Sequence, residues 1–137
     1  MTTAWSAREL ERICSAKELQ IATKRADGTL RRWVPIWVVY VGDQVYVRTW
    51  YRREDGWFGQ MLGSRRARIH VPGLEVDVAV EDVGEDKTEL PAGVDAAYHA
   101  KYARYGGSSV DRMTTDAAAA TTLRLIPEQG ARAGETP

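Results

Sequence analysis

Two pairs of cations, Lys24-Arg25 and Arg31-Arg32, stand on either side of Asp27-Gly28, a dipeptide favoured in tight hairpin turns. Reversing the chain there makes the four side chains neighbours and concentrates positive charge at one tip. A solvated hairpin tip is the plain structural reading. The chemical reading is an anion site, because the forked donors of arginine suit a phosphate. Arg48 is a second candidate. Strand alternation puts it on one face with Tyr46 and Trp50, where a guanidinium among apolar and aromatic groups needs a carboxylate, a phosphate or solvent. Around it, VRTWYRREDGWFGQML (residues 47–62) interleaves Arg48, Arg52 and Arg53 with Trp50, Tyr51, Trp57 and Phe58. Cations and flat rings at one rim suit a ligand with an anionic tail and a planar head.

Single-stranded nucleic acid also uses that mixture, but it calls for a broad basic stripe. This chain of 137 residues balances 19 Lys and Arg against 19 Asp and Glu, which points away from nucleic acid and membrane as partners. Residues 1–19 are charged, unlike a signal peptide, and no stretch reaches the roughly 20 apolar residues of a membrane span. A soluble cytoplasmic domain is the expectation. The lone Cys14 leaves no internal disulfide, and its place beside Leu10 suggests an apolar filler. His70 and His99 lack metal-ligand spacing, so no metal is expected. The phosphate-binding GxxxxGK(S/T), the dinucleotide GxGxxG and the GxSxG nucleophile elbow are all absent. Glu81-Asp82 and Glu85-Asp86 read as a solvated loop. If the protein is an enzyme, a cofactor brings the reactivity.

The elements that must position these residues follow from pattern. Ser6 to Glu9 is a capping box opening a helix that ends near Lys17. Leu19–Thr23, Leu30–Val41 and Gln44–Trp50 read as three strands joined by turns at Asp27-Gly28 and Gly42-Asp43. Within the second, Pro35 removes a ladder donor, so a bulge or an edge position is expected, with Trp33 and Trp37 sharing its face. Val34–Val41 is apolar at nearly every position, which calls for a helix, a second subunit or a ligand on its outer side. Trp57–Leu62 is a short helix. Arg66–Val71 and Leu74–Val80 form a hairpin about Pro72-Gly73, with Glu75, Asp77 and Glu81 on its wet face. Asp95 caps a helix carrying Tyr98, Tyr102 and Tyr105 as one stripe and ending at Gly106-Gly107. A weaker helix runs from about Val110 through Ala120, and Thr121–Ile126 is a last strand stopped by Pro127. One domain over residues 1–127, a flexible tail over 128–137 and a mainly β fold are predicted: a six-stranded antiparallel split barrel with peripheral helices.

The segments IATKRADGTLRRWVPIWVV (21–39), YVRTWYRREDGWF (46–58), DAAYHAKY (95–102) and TTLRLIP (121–127) resemble the flavin-binding split-barrel proteins. That group includes pyridoxamine-phosphate-oxidase-like and deazaflavin-dependent nitroreductase-like proteins. The chain looks nearest to a small family of short actinobacterial-type proteins without an assigned function. The resemblance implies a homodimer and a cofactor, FMN or a deazaflavin, held by Lys24, Arg25, Val34, Pro35, Ile36, Trp37, Arg48, Thr49 and Trp57. A substrate pocket would involve Trp50, Phe58, Tyr98 and Tyr102. Gln60 stands where the relatives carry Asn, and residues 52–55 are charged rather than glycine-rich.

Two functions are therefore carried forward. The first is a flavin or deazaflavin oxidoreductase passing hydride to a small organic substrate. The second is a cofactor-free binding protein or cyclase, in which Arg48 pairs with a ligand anion and the tryptophans stack on an aromatic or polyketide-like molecule.

Overall fold

The computed structural model describes residues 5–48, 57–84, 90–103, 111, 114 and 116–133. Helix α1 (Ala7–Ser15) begins at the expected capping box: the Glu9 amide donates to the Ser6 hydroxyl at 3.1 Å, and the Ser6 amide donates to the Glu9 carboxylate at 2.8 Å. Its buried face carries Glu9 and Ile13. Cys14 lies about 100° further round the helix and is exposed, so it is not the core filler expected from its spacing to Leu10. Just ahead of the helix, the Trp5 indole N–H donates to the Leu125 carbonyl at 2.9 Å and anchors α1 over the sheet.

Seven strands, rather than six, make one antiparallel sheet: β1 (Leu19–Thr23), β2 (Val34–Ile36), β3 (Val38–Val41), β4 (Gln44–Val47), β5 (Arg66–Val71), β6 (Leu74–Asp82) and β7 (Leu123–Ala133). Their order is β2-β1-β5-β6-β7-β4-β3. The extra strand arises where one long strand was expected over Leu30–Val41. The chain breaks at Trp37, so β2 pairs with β1 at one edge of the sheet while β3 pairs with β4 at the other. Two consecutive segments attached to opposite edges curl the sheet into a nearly closed barrel. Pro35 suits this arrangement, because a residue without an N–H is tolerated in a short edge strand.

Side-chain alternation separates two cores. Val38, Val45 and Val47 point into the barrel with Leu19, Ile21, Ile69, Val76, Val78, Leu123 and Leu125. Val39 and Tyr46 face outward and are covered by helix α3 (Leu90–Tyr102) through Val94, Tyr98 and Tyr102. A helix is therefore what lies outside β3. That helix starts five residues ahead of Asp95, which sits within it rather than capping it. Tyr105 and Gly106-Gly107 lie outside the described residues, as does much of the weaker helix expected from Val110, within which Asp116–Ala119 is helical.

Helix α2 (Trp57–Ser64) inserts Phe58 and Met61 into the barrel core. It ends on Arg65, whose φ of 61° lies in the left-handed region where glycine is normal. Its amide still donates to the Met61 carbonyl at 2.8 Å, closing the last turn. Arg65→Gly is expected to raise stability by about 0.5–1 kcal/mol, measured by urea unfolding. A loss would show that the arginine side chain outweighs its backbone strain.

At the other end of the chain, β7 runs past Pro127 to Ala133, so the tail expected from Glu128 begins as sheet. Pro127 sits opposite Val78, next to a register shift between Val78 and Val76, and a bulge tolerates its missing donor. No helix among the described residues is long and apolar enough to cross a membrane.

Candidate functional site

A cleft of about 400 Å³ opens between the β1–β2 hairpin, α2 and the start of β5. Lys24, Arg25, Arg31 and Arg66 line it with Gln60 and Ser64. The hairpin is fixed locally. Lys24 bridges to Leu30, the Arg25 amide donates to the Thr29 carbonyl at 2.8 Å, and Gly28 supplies a φ of 88°. Asp27 accepts from the Thr29 hydroxyl at 2.7 Å and from its amide at 3.0 Å, and these bonds hold its carboxyl below the usual carboxylate range. At the cleft floor the Lys24 amide donates to the Arg66 carbonyl at 2.9 Å, and the Ser64 hydroxyl bonds the carbonyl of Lys24. The end of α2 and strands β1 and β5 are thus laced together beneath the cations.

The cations differ in how they are compensated. Lys24 is 8% exposed and its ammonium lies 2.7 Å from Asp77, which also receives Arg68 at 2.6 Å. Asp77 was expected on the wet face of β6; it is buried because these two cations converge on it across β1 and β5. Burial pushes its carboxyl up, but the hydrogen bonds from Arg68 and Lys24 outweigh that and leave it below its ordinary value. Arg66 is held by Glu128 through two bonds, at 3.1 Å from Nε and 2.9 Å from Nη2. Arg25 donates to the Leu30 carbonyl at 3.0 Å, across its own turn. Among the described residues, neither Arg25 nor Arg31 has a carboxylate within ion-pair distance.

The other expected site residues disperse. Arg48 is fully buried: Nε donates to the Thr122 hydroxyl at 2.8 Å, Nη1 pairs with Asp95, Nη2 donates to the Pro91 carbonyl at 3.3 Å, and the guanidinium lies 5.8 Å from the Tyr98 ring centre. It braces α3 against β4 and is not among the residues that line the cleft. Phe58, Tyr98 and Tyr102 are core residues. Burial pushes the Tyr98 phenol upward. Tyr102 stacks on Trp37 with ring centres 4.1 Å apart, and its hydroxyl accepts from the Val38 amide at 3.0 Å. Tyr102→Phe is expected to cost about 1–2 kcal/mol by leaving that buried amide unsatisfied, read from the urea midpoint. Trp33 does not share a face with Trp37; it packs edge-on to His70 at 6.4 Å. On β2, Ile36 is buried, Val34 half-buried and Pro35 exposed. Thr49 and Trp50 lie outside the described residues, and Trp57 is the first residue of α2.

Sequence reasoning thus placed Lys24, Arg25 and Arg31 correctly at one tip but missed Arg66, Ser64 and the two carboxylates. Arg66 reaches the hairpin only through the pairing of β1 with β5, over forty residues apart in the chain, and no local signal carries that pairing.

The described strands make a nearly closed antiparallel barrel, split where β2 passes to β3, with a basic cleft at one hairpin. The chain belongs to the family described as uncharacterized protein conserved in bacteria (DUF2255), which matches residues 9–125. Solved structures share the fold. The heme storage protein HutZ of Vibrio cholerae is 18% identical with a TM-score of 0.57, covering 96% of either chain. An FAD-binding protein of Mesorhizobium loti is 18% identical with a TM-score of 0.50, over 92% of either chain. An F420 reductase is 21% identical with a TM-score of 0.51, over 91% of this chain and 95% of that one. No curated protein sequence matches the chain.

Proposed function

We propose that this barrel binds a flavin-type cofactor, FMN or a deazaflavin, with the cofactor's phosphate in the basic cleft, and passes hydride to a small organic substrate. The observation that carries the reading is the convergence of Lys24, Arg25, Arg31 and Arg66 with Gln60 and Ser64 on one cleft. Guanidinium, ammonium and amide donors around a concave surface fit a phosphate. The neighbours named as an FAD-binding protein and an F420 reductase agree with a ligand of this kind on this fold.

The bound cofactor supplies the hydride chemistry. The chain's own residues bind and orient. Asp77 fixes Lys24, so its ammonium is held in place before any ligand arrives. Arg25 and Arg31, which have no carboxylate within ion-pair distance among the described residues, contribute further positive charge. Strand β2 is an edge of the described sheet, and its outer row of backbone groups would face a planar heterocycle beside the exposed Pro35 and half-buried Val34. A second copy of the chain would cover that edge, where Trp33 is 36% exposed, and make the functional unit a homodimer. Visible absorption of the purified protein, followed by titration with FMN and with the deazaflavin F420, tests the reading. Saturable binding of either at micromolar concentration is expected; a colourless protein that binds neither would refute it.

A further inference from the structure

Glu128 lies on the second half of β7, beyond Pro127, yet its carboxylate reaches across to the rim of the cleft. There it takes the Nε and Nη2 edge of Arg66 through bonds of 3.1 and 2.9 Å. The pair is partly open to solvent, with the Arg66 side chain 55% and the Glu128 side chain 25% exposed, so the contact is not needed to bury either group. It changes the charge of the cleft instead. Lys24 is already bound by Asp77, and Glu128 does the same for Arg66. That leaves Arg25 and Arg31 as the lining cations without a carboxylate among the described residues.

We infer that Glu128 is a specificity-determining residue that limits how far the cleft favours a diphosphate over a single terminal phosphate. This rests on the reading of the cleft as a phosphate site, and not on the identity of what the phosphate is attached to. A phosphomonoester is a dianion above its second ionisation, near pH 6. Two guanidinium groups without a carboxylate in ion-pair contact among the described residues, Arg25 with only the more distant Asp27 near it, match that charge. A diphosphate carries further negative charge and meets the Glu128 carboxylate at the rim, where like charges repel. Glutamine at 128 keeps an oxygen acceptor for Arg66 while removing the repelling charge.

The test uses the full chain with inorganic phosphate and pyrophosphate as probes, titrated calorimetrically at pH 8 and low ionic strength. In the wild type, pyrophosphate is expected to bind no more than about threefold more tightly than phosphate. In Glu128→Gln both should bind more tightly and the preference for pyrophosphate should widen, by about threefold to tenfold, with a steeper salt dependence. The double variant Arg66→Gln/Glu128→Gln removes one charge of each sign and should return the wild-type ratio. Because the pair is solvent-exposed, both variants are expected to fold, which their urea midpoints verify. An unchanged or reduced pyrophosphate preference in Glu128→Gln, or a double variant that fails to restore the ratio, would overturn the assignment. If neither probe binds the wild type at millimolar concentration, the phosphate site itself is wrong. Phosphate binding without flavin binding would leave this inference standing and refute the flavin reading alone.

Discussion

Asp77→Ala should destabilise the barrel by about 3 kcal/mol, among the largest single-residue effects expected in this protein. The carboxylate sits between Lys24 at 2.7 Å and Arg68 at 2.6 Å, and Lys24 is nearly buried. Removing it leaves an ammonium out of water with no counter-charge, which costs more than the lost bonds. Asp77→Asn, which keeps an acceptor oxygen, should lose less. The effect depends on pH with a definite sign. The folded carboxyl lies below its ordinary value of 3.8, so the folded state binds the proton less readily than the unfolded one. Its stabilisation is therefore complete above that ordinary value and disappears as pH falls through the lower folded value. Urea unfolding of wild type and Asp77→Ala at pH 7 and again near pH 3 should show the gap narrowing in acid. A gap independent of pH would mean that packing, not charge, is what the aspartate contributes.

Arg48→Ala should cost about 3–4 kcal/mol, because it removes a fully buried side chain and three of its polar contacts at once. The loss falls on the junction of β4 and α3: the Asp95 carboxylate and the Thr122 hydroxyl both lose a guanidinium partner. Lysine should not rescue it, since one ammonium cannot span the planar fork that reaches Thr122, Asp95 and Pro91 together. The experiment is thermal or urea unfolding of Arg48→Ala and Arg48→Lys beside the wild type. A variant of wild-type stability with reduced ligand affinity would place Arg48 in a binding site and contradict its role as a brace.

Arg48 also shows where sequence reasoning reaches and where it stops. Alternation identified it as a guanidinium on an apolar and aromatic face in need of a partner, and that need is real. The partner is Asp95, whose place near the start of a helical pattern read as a cap. Only the docking of α3 on β3 and β4 reveals that its carboxylate serves another element. Asp77 fails in the same way. Alternation with Val76 and Val78 put it on a wet face, and that face is wet until β1 and β5 bring two cations onto it. Local signals fared better: the capping box, the turns at Gly42-Asp43 and Pro72-Gly73, the short helix from Trp57 and the cationic hairpin all depend on neighbours in sequence. Pro35 marked an edge position but not that the strand would split and close the barrel. Pro127, by the same rule, read as a stop and instead sits at a bulge inside β7.

The cleft formed by the Lys24–Arg31 hairpin, α2 and Arg66 is the proposed seat of the flavin-type cofactor's phosphate. Riboflavin and FMN share the ring and differ by that phosphate, so their affinities for the same purified protein isolate it. FMN is expected to bind at least about tenfold more tightly than riboflavin, the least that one or two charged hydrogen bonds supply. Equal affinity for the two, or binding of neither, would rule out a flavin phosphate in the cleft.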